Sequence, residues 1–295
     1  MMKIAVFTKN LSNPAYAAAR LGADRAAALF GAEVQHYVPT VADDPVQQSA
    51  LVTQALALSP DAFVFTPVHA TQVDEAIAAI ERAAIPIFSF INRMARGRCV
   101  SHVGSADARM AADIARYLFD HLRGRGEVVI IEGPADSITS IERVRAFDEV
   151  AAHYPDIRIV GRCSGGYQRE PARAALARLL PGQARIAAVL AANDIMAIGA
   201  LDALQAAGRS AAVVGVNAIP QAIAAIGRGE MLATADFNAM QMCFLATECA
   251  IRHLRGEAVP ADIELPVTIV DAANCQLWNL PYEQRTIPAL AELVS

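Results

Sequence analysis

Long hydrophobic runs are missing from this chain. No stretch approaches the roughly 18 apolar residues needed to span a bilayer. The best candidate, Ile186 to Ala192, suits a buried strand instead. An excess of positive charge is missing too: 25 Lys and Arg stand against 30 Asp and Glu, a net charge of −5. A basic groove for nucleic acid is therefore not expected. Cysteine is scarce and odd in number: Cys99, Cys163, Cys243, Cys249 and Cys275 form no C-x-x-C pair. They read as small buried or half-buried thiols, and nothing in the composition demands disulfides.

The common catalytic signatures are also absent. No G-x-x-x-x-G-K-[ST] loop, no H-E-x-x-H and no G-x-S-x-G elbow occurs,. Gly124-x-Gly126 is the nearest approach to a dinucleotide fingerprint, but it precedes a strand-like run instead of following one,. The six histidines are scattered without ligand spacing, so neither a metal site nor a cofactor is expected. A non-enzymatic protein is the reading these absences favour.

What is present is an apolar, globular composition, 55% hydrophobic and 19% charged over 295 residues, enough for one large or two ordinary domains. Strand-like runs alternate with helix-like stretches almost throughout. Lys3–Thr8, Glu33–Val38, Asp61–Thr66, Ile85–Ile91, Glu127–Glu132, Ile157–Gly161, Ile186–Ala191 and Ala211–Val216 read as strands. Helices are expected between them, with Asn13 capping the first ahead of Pro14 and Asn193 able to cap another,. This rhythm implies an α/β fold of parallel sheets with helices on both faces. So many strands suggest two doubly wound domains. Ligands of such sheets sit outside the carboxyl ends of the strands, and the residues there are rich in Asn: Asn10–Tyr16, Asn92–Arg93, Asn193–Asp194, Asn217–Pro220.

Those strand-end segments carry a resemblance. Asn13-Pro14-Ala15-Tyr16, Asn92-Arg93, Thr139–Phe147 with Arg143, Ala192–Ala200 (ANDIMAIGA), Val213–Asn217 and Ala233–Asn238 occur in one order along the chain. Together they resemble the type I periplasmic solute-binding proteins of the ribose-binding kind, which share their fold with lactose-repressor-type effector cores. The resemblance implies two α/β domains joined by a three-crossover hinge, with residues 1–104 plus 238–267 in one and 105–237 plus 268–295 in the other. It implies the substrate-binding component of an ABC transporter, taking a small sugar, polyol or sugar acid into an interdomain cleft by clamshell closure. The partners it implies are that ligand and a permease, with no nucleic acid, no direct membrane insertion and a monomeric state.

A regulator would need a helix-turn-helix domain of about 50–60 residues ahead of the first strand, so the alternative reading is a detached effector core or sensor. The strand-like run begins at Lys3, which leaves the chain periplasmic with its leader outside this sequence, or cytoplasmic if truly full length.

By the same resemblance the ligand-binding residues are Asn13, Tyr16, Asn92, Arg93, Arg143, Tyr167, Asn193, Asn217 and Phe237. Their chemistry suits a polyol. Amides and guanidinium groups pair with vicinal hydroxyls, and aromatic faces cover C–H faces. Asn13 and Asn193 also fit as plain helix caps, and His69 as a rim residue. The chain departs from the family pattern in having Asn92 and Asn217 where carboxylates are usual, Ala15 for an aromatic, and Phe237 for a polar residue. With two arginines and no acid at those positions, an anionic sugar is expected to bind at least as well as its neutral counterpart. Arg143 is expected to be replaceable with little loss of fold stability.

Overall fold

The computed structural model describes residues 1–182 and 185–293. The chain divides into two compact units, here unit 1 (Met1–Ser105, Asn238–Leu265 and the segment from Tyr282) and unit 2 (Ala106–Phe237 and Pro266–Pro281). The three expected crossings fall at 105–106, 237–238 and 265–266, and a fourth at 281–282 returns the tail to unit 1. Against the expected boundaries, Ser105 falls in unit 1, Pro266 and Val267 fall in unit 2, and the chain from Tyr282 onward falls in unit 1 instead of the second domain. Residues 183–184 and 294–295, also given to that domain, lie outside the described residues.

Unit 1 begins with β1 (Met2–Phe7), α1 (Pro14–Phe30), β2 (Ala32–Tyr37), α2 (Pro45–Ala57), β3 (Ala62–Phe65), α3 (Asp74–Arg82), β4 (Ile87–Phe90) and β5 (Cys99–Gly104). Unit 2 continues with α4 (Asp107–His121), β6 (Arg125–Glu132), α5 (Ile138–Ala151), β7 (Asp156–Ser164), α6 (Arg169–Leu179), β8 (Ala188–Ala191), α7 (Asp194–Ala206), β9 (Ala212–Val216), α8 (Pro220–Gly227) and β10 (Ala233–Asp236). The chain returns to unit 1 for α9 (Ala239–Leu254) and β11 (Asp262–Glu264). It then crosses for β12 (Thr268–Asp271) and closes in unit 1 with the short α10 (Leu290–Leu293).

The unit 1 sheet runs β11-β5-β4-β3-β1-β2, parallel throughout. The unit 2 sheet runs β12-β10-β9-β8-β6-β7, parallel except for β12, which pairs antiparallel at the edge. In each, the strand order reverses beside the first strand, between β1 and β3 and between β6 and β8. Open α/β sheets bind ligands at that switch point.

The two cores differ in kind. Phe7 stacks on Tyr37 and Phe63 with ring centroids 4.8 and 5.6 Å apart, so unit 1 is centred on aromatic rings. Unit 2 is centred on Val128, Val129, Ile130, Ile131, Val189 and Leu190, all buried. Continuous apolar strands of this sort are expected where helices cover both faces. In unit 1, α1 lies against α9 through an alanine face with Gly22 at the closest approach. A Cβ at Gly22 would stand 2.1 Å from the Met240 carbonyl oxygen, which only glycine permits.

The tail is fastened within each unit it visits. The Trp278 Nε1–H donates to Asp236 at 2.7 Å in unit 2. In unit 1, Arg25 donates to the Arg285 carbonyl at 2.6 Å, and the Leu290 amide donates to buried Glu248 at 2.9 Å.

Candidate functional site

The unit 1 wall starts where β1 ends. Thr8, Lys9 and Asn10 are buried although polar. Arg20 on α1 braces the turn by donating to the Thr8 hydroxyl at 3.0 Å, and Lys9 lies 3.8 Å from Asp43. Asn10 accepts from the Asn13 amide at 2.9 Å, and Asn13 in turn caps α1 by accepting from the Ala15 amide at 3.0 Å. The cap occupies Oδ1, so the NH2 end of Asn13 is the end available to a ligand. Tyr16 stands half-buried on the first turn of α1.

Asn92 follows β4 through a strained residue. Ile91 sits at φ 61°, a left-handed conformation costly for a β-branched side chain and frequent at functional positions. The Asn92 NH2 group donates to the Pro67 carbonyl at 3.1 Å. That carbonyl can only accept, so the amide orientation is fixed and Oδ1 points the other way. Asn92 Oδ1 is buried with no hydrogen-bond partner among the described residues, as is the neighbouring Thr66 hydroxyl at the end of β3. A buried acceptor of this kind costs stability until a donor meets it.

Arg93 does not join this group. Its side chain is 61% exposed and bonds to Asp262 at 2.5 Å. His69 turns its Nδ1 onto the Thr71 and Gln72 amides, both at 3.1 Å, and so organises its own loop. Deeper in unit 1, His102 receives or donates a 2.7 Å hydrogen bond with Ser89. Burial first, then the Arg93 charge, push its pKa down to about 4.

The unit 2 wall is built around Arg143, buried on α5. Its Nε and Nη2 donate to one oxygen of Asp107 at 3.1 and 2.9 Å, and Nη1 donates to the Ala192 carbonyl at 2.7 Å. The Phe237 ring centroid lies 5.8 Å from its guanidinium carbon, within cation–π range. Tyr167 enters at φ 59° and exchanges a 3.1 Å hydrogen bond with Thr139. Its ring takes the space a Cβ on Gly133 would need, 2.5 Å away. Burial raises its pKa above the ordinary phenol value.

Asn193 caps α7 by accepting from the Met196 amide at 2.9 Å. Beside it, fully buried Asp194 accepts from the Thr234 hydroxyl at 2.7 Å and the Ile219 amide at 3.0 Å. Burial holds its pKa up at about 7. Through these bonds Asp194 fixes the turn after β9, where Asn217 adopts φ 122° and Ala218 φ 49°.

Unit 2 thus gathers Arg143, Tyr167, Phe237 and Asn193 about one polar centre, with Asn217 on the adjoining turn. Unit 1 places Asn13, Tyr16 and Asn92 at its own sheet edge and leaves Arg93 outside. The sequence reading missed Lys9 and Asp107; Thr66, Thr139 and Asp194 fall in the strand-end segments and motifs it read but were not among its ligand contacts. Lys9 stands directly after a strand-like run and was findable by position. Asp107, in the first turn of α4, carried no signal linking it to Arg143. It also changes the premise of the charge expectation, because each arginine has a carboxylate partner within its own unit.

Comparison with known proteins supplies the context. A family model described as a periplasmic binding protein domain matches residues 4–258. The chain is similar to a xylitol-binding protein of Mycolicibacterium smegmatis, 27% identical over 85% of this chain and 73% of that one. It is 29% identical to the ribose import binding protein of Escherichia coli over 90% of each. Among solved structures, an ABC transporter periplasmic solute binding protein from Actinobacillus succinogenes with bound D-allose superposes with a TM-score of 0.87. It is 27% identical, over 94% of this chain and 99% of that one.

Proposed function

The chain belongs to the periplasmic binding protein domain family, and from that premise we propose that it is the solute-binding component of an ABC transporter for a neutral sugar or polyol. The observation that carries the ligand class is Asn92 Oδ1, a buried acceptor whose own NH2 group is committed to Pro67. It calls for a donor, which the hydroxyls of a sugar or polyol supply. The relatives named above bind xylitol, ribose and D-allose, all of them polyhydroxylated and uncharged. Asn13, Tyr16 and Asn92 are the proposed contacts from unit 1, and Arg143, Tyr167, Asn193, Asn217 and Phe237 those from unit 2.

Arg93 is proposed only as a rim contact, reached by leaving Asp262. Uptake of one ligand by both walls through hinged closure, the periplasm as the place of action and a transporter permease as the partner belong to the same proposal. The named relatives are binding proteins and not enzymes, and no turnover is expected. No described helix is long and apolar enough to cross a membrane.

The test is calorimetry and thermal shift with xylitol, D-ribose, D-allose and other neutral polyols, alongside small-angle scattering. A ligand at 100 times its Kd adds about 2.7 kcal/mol to stability, and closure lowers the radius of gyration. No response to any of them overturns the ligand class. Binding without compaction overturns the closure alone.

A further inference from the structure

Arg143 is the only buried cation among the proposed ligand contacts, and its charge is already answered. Two of its nitrogens converge on one oxygen of Asp107 at 2.9 and 3.1 Å, and the third points to the Ala192 carbonyl. The side chains of Arg143 and Asp107 are 5% and 11% exposed. Buried charges at such a distance interact strongly, because little water screens them.

Other carboxyl groups lie around the pair. Asp194 interacts with both Asp236 and Arg143, and Glu142 stands next to Arg143 in the chain. The Glu142 carboxyl is held above the ordinary carboxylate range, by burial first and by the Asp107 charge next. The Arg143 charge is therefore balanced by Asp107, and none of the carboxyls around the pair adds positive charge.

We infer that Asp107 is a specificity-determining residue, which cancels the Arg143 charge and thereby selects neutral polyols against sugar acids. The inference rests on the proposed polyol-binding function and deepens it. A hydroxyl can donate to the free lone pairs of Asp107 and accept from Arg143, so the pair serves both roles of an uncharged alcohol. A carboxylate arriving at the same place finds its cation taken and an anion beside it, and loses on both counts. Asp107 reaches the site from the first turn of α4, 36 residues before its partner, outside every strand-end motif of the sequence.

The experiment is a calorimetric comparison of neutral ligands with their acids on the full chain, xylitol with xylonate and D-ribose with D-ribonate. Wild type is expected to bind the neutral member at least tenfold more tightly. Asp107→Asn frees the guanidinium charge while keeping the shape, and should move the ratio at least tenfold towards the acid, more at low salt. Arg143→Gln makes the opposite change and should move the ratio further against the acid. Because each change leaves one buried charge unanswered, the salt dependence of the wild-type ratio is a second readout should either variant fold poorly. It should stay flat as salt is lowered, and an acid affinity that rises tenfold overturns the inference.

A wild type that prefers the acid, or ratios unmoved in both variants, overturns the role of Asp107 and leaves sugar binding standing. A wild type that binds neither member of either pair overturns the inference together with the reading beneath it.

Discussion

At the carboxyl edge of the unit 1 sheet, Asn13 and Asn92 each have one end of the amide tied to the fold and the other end turned away from it. The arginine there, Arg93, is largely exposed on an ion pair with Asp262. At the matching edge of unit 2, the arginine is buried and every nitrogen donates to a fixed acceptor. The two units share a strand order, yet one wall offers single, separable hydrogen bonds and the other a closed electrostatic group. Topology places a site, while local partners decide what each wall tolerates. Substitutions in unit 2 should therefore disturb fold and binding together, and those in unit 1 should disturb them separately.

Arg143→Ala is the most severe test. It strands Asp107 as a buried, uncompensated carboxylate, which costs about 3–5 kcal/mol of stability. That reverses the expectation, drawn from sequence, of a harmless truncation. Denaturant unfolding measures the loss, and a stability change under 1 kcal/mol would erase the contrast between the walls. Ligand affinity should fall as well, by roughly 30-fold or more.

Asn92→Ala comes next. Losing one buried acceptor is worth about 1–3 kcal/mol in binding, read by calorimetry. The folded protein should lose only about 0.5–1.5 kcal/mol, for the bond to the Pro67 carbonyl,, because the acceptor itself has no partner to lose among the described residues. A large drop in the melting temperature would show that Asn92 serves the fold instead.

The pH dependence separates the units by sign. Asp194 in unit 2 has its pKa raised to about 7, so the native state holds that proton more tightly than the unfolded chain does. Its contribution is fully present below the ordinary carboxylate pKa of about 4 and is lost as pH rises to about 7. His102 in unit 1 has its pKa lowered to about 4. Its contribution is present above the ordinary imidazole pKa of about 6.5 and is lost as pH falls to about 4. Each slope is at most about 1.4 kcal/mol per pH unit. Opening free energies from hydrogen exchange between pH 4 and 7, resolved by unit, should change in opposite directions. Asp194→Asn should flatten unit 2 only.

Arg93→Ala should have the smallest effect on the fold, about 0.2–1 kcal/mol, because its ion pair is exposed and screened. A loss several times larger, seen in thermal unfolding, would mean that Arg93 is as built-in as Arg143.

Much of this was readable from the chain. The β/α alternation follows from apolar runs bounded by capping residues, and Asn13 and Asn193 cap α1 and α7 as their positions before those helices predict. The short strands β5, β10, β11 and β12 and the helix α8 were not assigned, because brief or polar runs such as Cys99–Gly104 carry little periodicity. The helix α9 was not assigned because it is buried from Ala239 to Ile251 and so shows no single apolar stripe,. Among the site residues, the resemblance singled out Arg143 and Tyr167, which unit 2 brings to one group through Asp107 and Thr139. It also singled out Arg93, which unit 1 leaves on the surface. Position after a strand says that a residue is near the edge, and nothing about which way its side chain turns.

Sequence alone determined two doubly wound units and strand ends rich in amides. Only the tertiary structure decided the charge of the site. Asp107 meets Arg143 across 36 residues, Pro67 orients Asn92 across 25, and Asp262 draws Arg93 outward across 169. Periodicity and caps are local, set by neighbours a turn or a strand apart. The state of a buried charge depends on which distant backbone or side chain folding brings within hydrogen-bond reach.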